Sequence, residues 1–501
     1  MADEDKLFEL CPQECAGNER GFALLVAVIA LAFFSLLGLY AAVNGAVELR
    51  ISDNNESEIQ ARFAAYAGLD HARAALRGLD LDDLLKGPDG TYDAGSGYLA
   101  QARTAAFRNP LSWTVARSLD ILDPASAVAG LQDDGVVSTG RYQSAGVAVL
   151  IPQSGMEFTA PSSTGLGNLI TARYFVKVTD NNQEASELAG DPLDNPFMDG
   201  DGLILVRSMG VAPTIRETSG AALHDNSIVV FEARFKRRST LSLDAPLVIQ
   251  GKGVIPSKSA MFSGDSFLVR GSAGNPAIGT IDPDRSDAID PAADISALVA
   301  PAQKDNIQGN GVDSSIQDLT AAVASDSDKS LLLAQDYLWN FTQNEVRRFS
   351  DNCYPADQDW TNGAAPDLGY YDAVLPANAP GQRPRVTFVG GNLTVGGDDS
   401  GAGLLVVTGK LFISGAFSFK GLILVVGRGD LELAGPVCNI AGGIFLAAMI
   451  NSGGALSWGP ARLSVDGASA IAFEPRLIRM AIALIPPAQV GFREVTSSLD
   501  P

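Results

Sequence analysis

The side chains of this chain that are best suited to chemistry are carboxylates. One stretch of about 20 residues between two β-prone runs is rich in carboxyl and amide oxygens, the ligands that calcium prefers. Its acidic candidate ligands are Asp180, Asp191, Asp194, Asp199 and Asp201. Their spacing does not match the regular twelve-residue calcium loop, so a solvated acidic loop is the alternative. Apart from this calcium hypothesis, the sequence suggests no cofactor.

A catalytic constellation is harder to find. Asp265, Asp398, Asp399 and Asp430 could supply paired carboxylates for carbohydrate cleavage, but carboxylates beside glycines more often form turns. The chain has two histidines, His71 and His224, and neither has a neighbouring nucleophile in the sequence. Because no phosphate-binding loop is present either, we expect a protein that is not an enzyme.

Cysteine usage is sparse, with four residues in the chain. Cys11 and Cys15 lie in the polar first 21 residues of the chain. They are expected to be incidental thiols, because their spacing and number do not suit a zinc site. Cys353 and Cys438 lie in the part expected to be exported, where an oxidising compartment favours pairing. The sequence leaves open whether these two form a disulfide, because spacing does not show that their Cα atoms approach each other.

The longest apolar segment lies near the amino terminus. Phe22 to Val43 contains no charged residue, and as a helix this segment is about 33 Å long, enough to cross a bilayer. Nothing of comparable apolarity follows, so we expect at most one membrane crossing. The net charge of −22 disfavours a broad nucleic-acid interface.

Three interpretations of this apolar segment compete. A conventional signal peptide would have a basic start and a shorter apolar region, whereas residues 1–21 hold six acids and only two basic residues. A plain signal anchor is the second interpretation. The third is a prepilin-type signal cut between Gly21 and Phe22, in which glycine precedes the cut and Phe22 becomes the methylated amino terminus of a retained helix.

Residues 20–76 carry a resemblance that favours the third interpretation. The Gly-bounded apolar helix runs into a polar segment that ends in AAYAGLDHA, Ala64 to Ala72. This region resembles the amino-terminal region of PilX-type minor pilins. The resemblance implies a prepilin peptidase, other pilins and the inner-membrane pilus assembly platform as partners, with the head in the periplasm or at a pilus.

Val26 departs from the major-pilin pattern, which has a glutamate at this fifth mature position. That glutamate is thought to pair with the amino terminus of a neighbouring subunit in the apolar bundle, where an unpaired charge is costly. PilX-type minor pilins and K-type pseudopilins commonly lack it. The resemblance therefore implies an initiating, capping or low-copy subunit.

Beyond the membrane segment, helical spacing continues to about Leu79. Ile59, Phe63, Tyr66, Leu69 and Leu76 predict one apolar stripe that packs on a head or on a neighbouring subunit. Period-two alternation then predicts strands at residues 173–180, 202–208, 227–235 and 240–250.

A regular glycine spacing appears late in the chain. Gly403, Gly409, Gly415, Gly421 and Gly427 recur every six residues around short β-prone runs. A second register of 18 and then 22 residues links the segments that begin at Gly403, Gly421 and Gly443. Repeats of this size predict a β-solenoid over residues 386–473, with residues 262–271 as an earlier coil. An ordinary antiparallel domain with glycine-rich hairpins is the alternative.

The expected fold is α+β and mainly β: a long amino-terminal transmembrane helix, then a β-rich head with a solenoid-like carboxyl-terminal region and a helical insertion. The expected segments are a leader (1–21), transmembrane and stalk helix (22–79), head (80–283), helical insertion (284–385), Gly-rich region (386–475) and tail (476–501). Residues 401–427 and 442–449 also resemble the β-rich part of large proteins with a PilX amino-terminal domain.

The expected function is that of a minor pilin-like subunit of a type IV pilus system, acting in assembly, tip display or adhesion. One alternative is a K-like minor pseudopilin of type II secretion. Another is a membrane-tethered β-solenoid that binds or cleaves carbohydrate.

Overall fold

The structure is a computed structural model of the chain. It describes residues 18–78, 111–123, 131, 143–144, 147–148, 151–152, 155–161, 168–181, 202–214, 226–237, 240–264, 266–287, 289–309, 311–313, 315–361, 363, 365–372 and 381–496.

A single helix, α1 (Asn18–Ala75), forms the amino-terminal part of the described chain. It begins before Phe22 and continues without a break through the apolar segment into the polar stalk. The helix ends in a turn at Gly78, whose φ of 75° suits glycine. The Gly78 amide donates a 2.7 Å hydrogen bond to Ala483 O, so the helix end is tied to the carboxyl-terminal region.

An antiparallel sheet follows in the head. Its strands are β3 (Met156–Pro161), β4 (Asn168–Asp180), β5 (Leu203–Ala212), β6 (Ser227–Lys236) and β27 (Ala488–Val495). The spatial order is β27-β6-β5-β4-β3, so the carboxyl-terminal strand β27 forms one edge. The strands predicted near residues 173, 202 and 227 are confirmed as β4, β5 and β6. Their side chains point alternately to the two faces of the sheet, and both faces are covered. A short helix, α2 (Trp113–Arg117), packs on the face away from α1, and the strands β1 (Gln143–Ser144) and β2 (Val147–Ala148) form a separate hairpin.

The stalk half of α1 packs on this sheet through its smallest residues. Ala61, Ala64, Ala65 and Ala72 are fully buried there, and a Cβ added to Gly210 of β5 would lie 1.9 Å from Ala61 O. The predicted apolar stripe is therefore only partly correct. Leu69 and Leu76 are buried, but Ile59, Phe63 and Tyr66 are 52, 59 and 43% exposed. Small side chains bring the helix backbone against the sheet, and the larger ones on another flank stay outside.

Two mainly parallel sheets make up most of the rest of the described head. The longer sheet contains β7 (Leu247–Gln250), β9 (Leu268–Arg270), β10 (Ile278–Ile281), β11 (Ile307–Gly309), β12 (Val312–Asp313), β13 (Ile316–Asp318), β14 (Asn352–Tyr354), β16 (Gly369–Tyr370), β17 (Arg383–Val389), β19 (Asp399–Val407), β21 (Phe417–Gly427), β23 (Cys438–Ser452), β24 (Ala455–Trp458) and β26 (Ser469–Phe473). The shorter sheet has the order β15 (Gln358–Trp360), β18 (Leu393–Val395), β20 (Lys410–Ile413), β22 (Asp430–Leu433), β25 (Ala461–Val465), β8 (Val254–Pro256).

From β17 to β26 the chain alternates between the two sheets, except at β24, which pairs antiparallel with β23. Each of the other strands pairs in parallel with the next strand on the same sheet. Gly403 pairs with Gly421, 18 residues later, and Gly421 pairs with Gly442. The predicted 18-residue register is thus present, whereas the next partner is Gly442 and not Gly443. Phe262 pairs with Val465 and β9 pairs with β26, so residues 262–271 belong to these sheets.

The long strands of this region are buried on both sides. In β21, Ile423 and Val425 point into the space between the sheets, while Leu422, Leu424 and Val426 belong to an outer cluster. This outer face is covered by a helical segment and by α7 (Pro475–Ala483). The helical segment comprises α4 (Thr320–Ser325), a 3-10 turn (Lys329–Leu333), α5 (Gln335–Asn340), a π-helical turn (Phe341–Val346) and α6 (Arg347–Phe349). Double burial explains the continuous apolar runs in the sequence.

The segment boundaries differ from two of the expectations. Residues 284–385 are not simply an insertion, because strands β11 to β17 within or across this range join the sheets. Before β11 the same range also holds α3 (Pro291–Leu298) and a 3-10 turn (Pro301–Asn306). Residues 476–501 are not only a tail, because they include most of α7 and the edge strand β27.

Candidate functional site on the amino-terminal helix

The first half of α1 is a candidate membrane span. Its large side chains are exposed, with Phe22, Leu24 and Phe34 each close to 70% accessible. An 18-residue window of this helix has a mean hydropathy of 2.8, and none of that window is buried in the protein. A helix this apolar and this exposed could span a bilayer by its length and composition.

Gly21, the first of the two candidate processing residues, ends the first turn of α1, and Phe22 begins the second turn. The first four N–H groups of a helix have no intrahelical acceptor, so the first turn opens more easily than the helix interior. Phe22 is 68% exposed. It lies at the start of the apolar segment, the position that the third interpretation of the sequence assigns to the new amino terminus.

The stalk half of α1 has a second exposed apolar surface. We call it the flank patch and define it as Ile59, Phe63 and Tyr66 of α1 with Val490 and Phe492 of β27. The Tyr66 and Phe492 rings stack with centroids 5.6 Å apart, which joins the helix flank to the sheet edge. Val490 is 54% and Phe492 45% exposed. Contiguous exposed apolar surface of this kind is typical of interaction sites.

The flank patch has a charged border. Arg62 donates to Glu494 of β27 at 2.8 Å and to Glu58 one helical turn away at 3.4 Å. The hydrogen bond to Glu494 is the main reason that the pKa of Arg62 is raised. Both side chains of the Arg62–Glu494 pair are more than one-third exposed, so the pair contributes little stability and mainly orients the rim. The alternation in AQVGFREV could have revealed β27, but the sequence analysis placed this stretch in a tail.

Buried polar contacts hold the stalk on the head. His71 of α1 and Tyr174 of β4 share a 2.8 Å hydrogen bond. Burial lowers the pKa of His71 and raises the pKa of Tyr174 to about 12, because it disfavours the charged form of each group. Arg77 donates at 2.6 Å to both Leu484 O and Phe349 O. His71 is therefore a packing residue that joins helix to sheet.

An ion triad centred on the buried Glu232 lies on the sheet face away from α1. Glu232 accepts hydrogen bonds from Arg207 at 2.8 Å and from Arg493 at 2.6 Å. Burial alone would raise the pKa of Glu232, but the two arginines lower it below its usual value. Because Arg493 belongs to β27, this triad fastens the edge strand that carries part of the flank patch. Local sequence patterns do not reveal it, since Arg207 lies 25 residues and Arg493 261 residues from Glu232.

The calcium hypothesis stays a prediction. Asp180 ends β4, while Asp191, Asp194, Asp199 and Asp201 lie outside the described residues. Within the described ranges, no group of three or more His, Cys, Asp or Glu side chains is arranged to hold a metal ion.

Cys353 and Cys438, whose pairing the sequence leaves open, do not form a disulfide. Both are free thiols, Cys353 exposed and Cys438 buried, and burial raises the pKa of Cys438 to about 12. Cys353 lies on β14 and Cys438 on β23, which are separated in the sheet by β17, β19 and β21. Four strand spacings are about 19 Å, far beyond the reach of a disulfide. Both residues lie in the same sheet, but the order of its strands keeps them apart.

Among the described candidate catalytic carboxylates, Asp399 begins β19 of the longer sheet and Asp430 begins β22 of the shorter sheet. Asp430 is buried and accepts from Ser257 at 2.5 Å. Burial, with a smaller effect of neighbouring Asp398, raises the pKa of Asp399. Asp265 lies outside the described residues, as does His224. Glu432, which sequence reasoning did not single out, is paired with Lys258 and Lys410 on the outer face of the shorter sheet.

Comparison with known proteins found no matching family model, no matching curated protein and no matching solved structure.

Proposed function

We propose that this chain is a pilin-like, membrane-anchored structural subunit of a type IV pilus system, acting in assembly, tip display or adhesion. The observation that carries the proposal is the continuity of α1. One helix of 58 residues is an exposed apolar rod at one end and packs on an antiparallel sheet at the other. A plain anchor needs no rigid connection between membrane segment and head, whereas a fibre subunit must transmit position and force from one to the other.

Two surfaces support assembly with other helices. Small residues in the membrane half, such as Ala27, Ala30 and Gly38, allow close helix approach in a bilayer or an apolar bundle. A Cβ added to Gly38 would meet no atom of the protein within 4 Å, so this side of the helix is open to a partner. The flank patch continues an apolar contact surface onto the head. Val26 brings no buried charge into such a bundle.

In this proposal, a prepilin peptidase cuts between Gly21 and Phe22, and α1 then holds the subunit in the inner membrane. The head faces the periplasm until the subunit enters a fibre together with other pilins, through the inner-membrane assembly platform. Because Val26 replaces the glutamate expected in bulk subunits, the protein serves as an initiating, capping or low-copy subunit.

We also infer that the parallel sheets form a β-solenoid. Parallel pairing at intervals of 18 to 21 residues supports it, as does a shared interior lined by both sheets. Its long strands are covered by helices on one side, which makes the head a rigid body suited to display. A K-like minor pseudopilin of type II secretion uses the same helix and head, so the α1 geometry supports it equally.

A membrane-tethered carbohydrate-binding protein is the second candidate of another class. The observation that favours it is a cleft of about 420 Å³ on the head, lined by polar side chains and a tryptophan. Processing of the amino terminus distinguishes the two candidates: a plain tether keeps its leader, whereas a fibre subunit begins at Phe22.

The deciding experiment is intact-mass measurement and amino-terminal sequencing of the membrane-extracted protein and its Gly21→Ala variant. We expect the wild-type chain to begin at methylated Phe22 and the variant to keep its leader. Gly38→Ala is the matched control, because Gly38 lies on the same helix with no neighbour within 4 Å. It should be processed normally. A wild-type chain that retains Met1 or its leader would overturn the pilin proposal and leave a plain tether.

A further inference from the structure

A cleft on the head lies where three turns and a hairpin strand meet. The turns are those after β7, after β10 and before α5, and the strand is β24. The volume of the cleft is about 420 Å³, within the range of small-molecule sites. None of its walls belongs to α1 or to the flank patch, so it is separate from the surface proposed for assembly.

The polar wall offers both a donor and an acceptor. Lys252 donates to Asp284 at 2.5 Å, and Asp284 also accepts from the Ser286 amide at 3.2 Å. An ammonium group carries three N–H donors. In the described part of the chain, the ammonium group of Lys252 donates a hydrogen bond to Asp284 and to no other side chain. Asp336 is exposed in the first turn of α5, and within the described chain its carboxylate accepts no hydrogen bond. The pair therefore fixes Lys252 in place and leaves capacity for a ligand.

The opposite wall is apolar. Trp458 is 8% exposed and is held in the outer core cluster, so its ring is a rigid part of the wall. Leu333, Leu456 and Pro283 complete this side. A ligand that fits must present an apolar face to these side chains and hydrogen-bonding groups to Lys252 and Asp336.

The charge around the cleft excludes anions. Asp282 and Asp287 lie close enough to Lys252 to raise its pKa, although the hydrogen bond to Asp284 has the larger effect. Together with Asp336, these carboxylates outnumber the single lysine. A phosphate or a carboxylate would meet net repulsion, while a neutral or cationic ligand would not.

We propose that this cleft binds a single sugar ring, either neutral or amino-substituted. A pyranose ring has an apolar C–H face for the partly exposed Leu333 and Leu456, and a rim of hydroxyl groups that both donate and accept. An amino group on the ring would add attraction to the acidic surroundings. The inference goes beyond anchoring and does not depend on processing at Gly21.

The test uses the full-length protein in a detergent without a sugar headgroup, because maltoside or glucoside detergents would compete. Saturation-transfer NMR and calorimetric titration with galactose, N-acetylglucosamine and glucosamine measure binding. We expect at least one of these to bind, and Asp336→Asn and Lys252→Met each to weaken it by about tenfold, as for loss of a charged hydrogen bond. Asp305→Asn is the matched control, because Asp305 is an exposed aspartate away from the cleft; its binding should equal that of the wild type.

Three outcomes would overturn the proposal. The first is absence of binding to all three sugars at millimolar concentrations. The second is equal weakening by Asp305→Asn, which would place the effect outside the cleft. The third is binding of a zwitterionic amino acid such as leucine in place of the sugars, since its carboxylate and ammonium could also pair with Lys252 and Asp336. Normal processing at Gly21 with no sugar binding would reject this inference while leaving the pilin proposal intact.

Discussion

At the residue scale, the join between stalk and head depends on side-chain size and on one buried polar pair. A Cβ added to Gly68 would lie 2.0 Å from Ser208 Oγ, so a side chain there would push helix and sheet apart. His71 is held neutral beside Tyr174 at the same contact. Protonating His71 would place a charge where burial penalises it, so pH acts directly on this join.

We predict that the protein loses thermal stability as the pH falls from about 7 to 5 and that His71→Gln reduces this dependence. Burial depresses the pKa of His71 below 6.5 in the folded state. The unfolded chain therefore binds more protons over this range, and stability rises with pH. Thermal unfolding followed by circular dichroism at several pH values measures the slope. An unchanged slope in His71→Gln would refute the assignment.

At the element scale, the strands β19, β21 and β23 bend at one column of glycines. Gly403, Gly421 and Gly442 are in register and have φ values of 126°, 142° and 130°. A Cβ added to Gly421 would lie 2.0 Å from Gly403 O. Beyond this bend, β23 pairs with β7, while before it β23 pairs with β26. The bend at Gly442 therefore allows β23 to pair with β26 on one side of the bend and with β7 on the other.

We predict that Gly421→Ala lowers the free energy of unfolding by more than the cost of positive φ alone. That conformational cost is about 1–2 kcal/mol, and the clash adds about 1–3 kcal/mol for overpacking. Gly453→Ala separates the two effects, because Gly453 also has positive φ, at 63°, but has no neighbour within 4 Å. Thermal and urea unfolding of both variants provide the comparison. Equal destabilisation of the two variants would show that the close contact between Gly421 and Gly403 adds nothing to the cost of positive φ.

At the scale of the whole molecule, segments that are far apart in the sequence pair with each other. The segment around β7 to β9 pairs with β23 to β26, which lie about 200 residues later. After α7, the chain returns to the antiparallel sheet as β27. Arg77 sits where these paths meet, and bonds α1 to Leu484, Phe349 and, at 3.3 Å, Asp351. Arg77 therefore connects the end of α1 to the segment before β14 and to the segment between α7 and β27.

We predict that Arg77→Met destabilises the connection between stalk and head by about 1–3 kcal/mol, because it leaves buried acceptors unpaired. Arg62→Met, which removes an exposed arginine from the same helix, should cost less than about 1 kcal/mol. Thermal unfolding and the rate of limited proteolysis measure both. Equal destabilisation of the two variants would show that Arg77 does not link the stalk to the head.

The sequence by itself determined the local features of this protein. The uncharged run from Phe22 to Val43 specifies an apolar helix, and alternation specifies the strands around residues 173, 203 and 227. The glycine spacing indicated an 18-residue repeat. These features depend on neighbouring residues and on periods of two, 3.6 or 18, which can be counted along the chain.

Only the tertiary structure decided which surfaces are buried and which residues meet. Ile59 and Phe63 look like a buried stripe, yet the alanines of another face pack on the sheet because they allow closer approach. Cys353 and Cys438 enter the same sheet, yet four strand spacings separate them. The flank patch joins residues more than 400 positions apart, and the cleft on the head joins turns of three separate segments to a distant hairpin. Such contacts depend on strand order and long-range closure, which the local pattern of side chains does not encode.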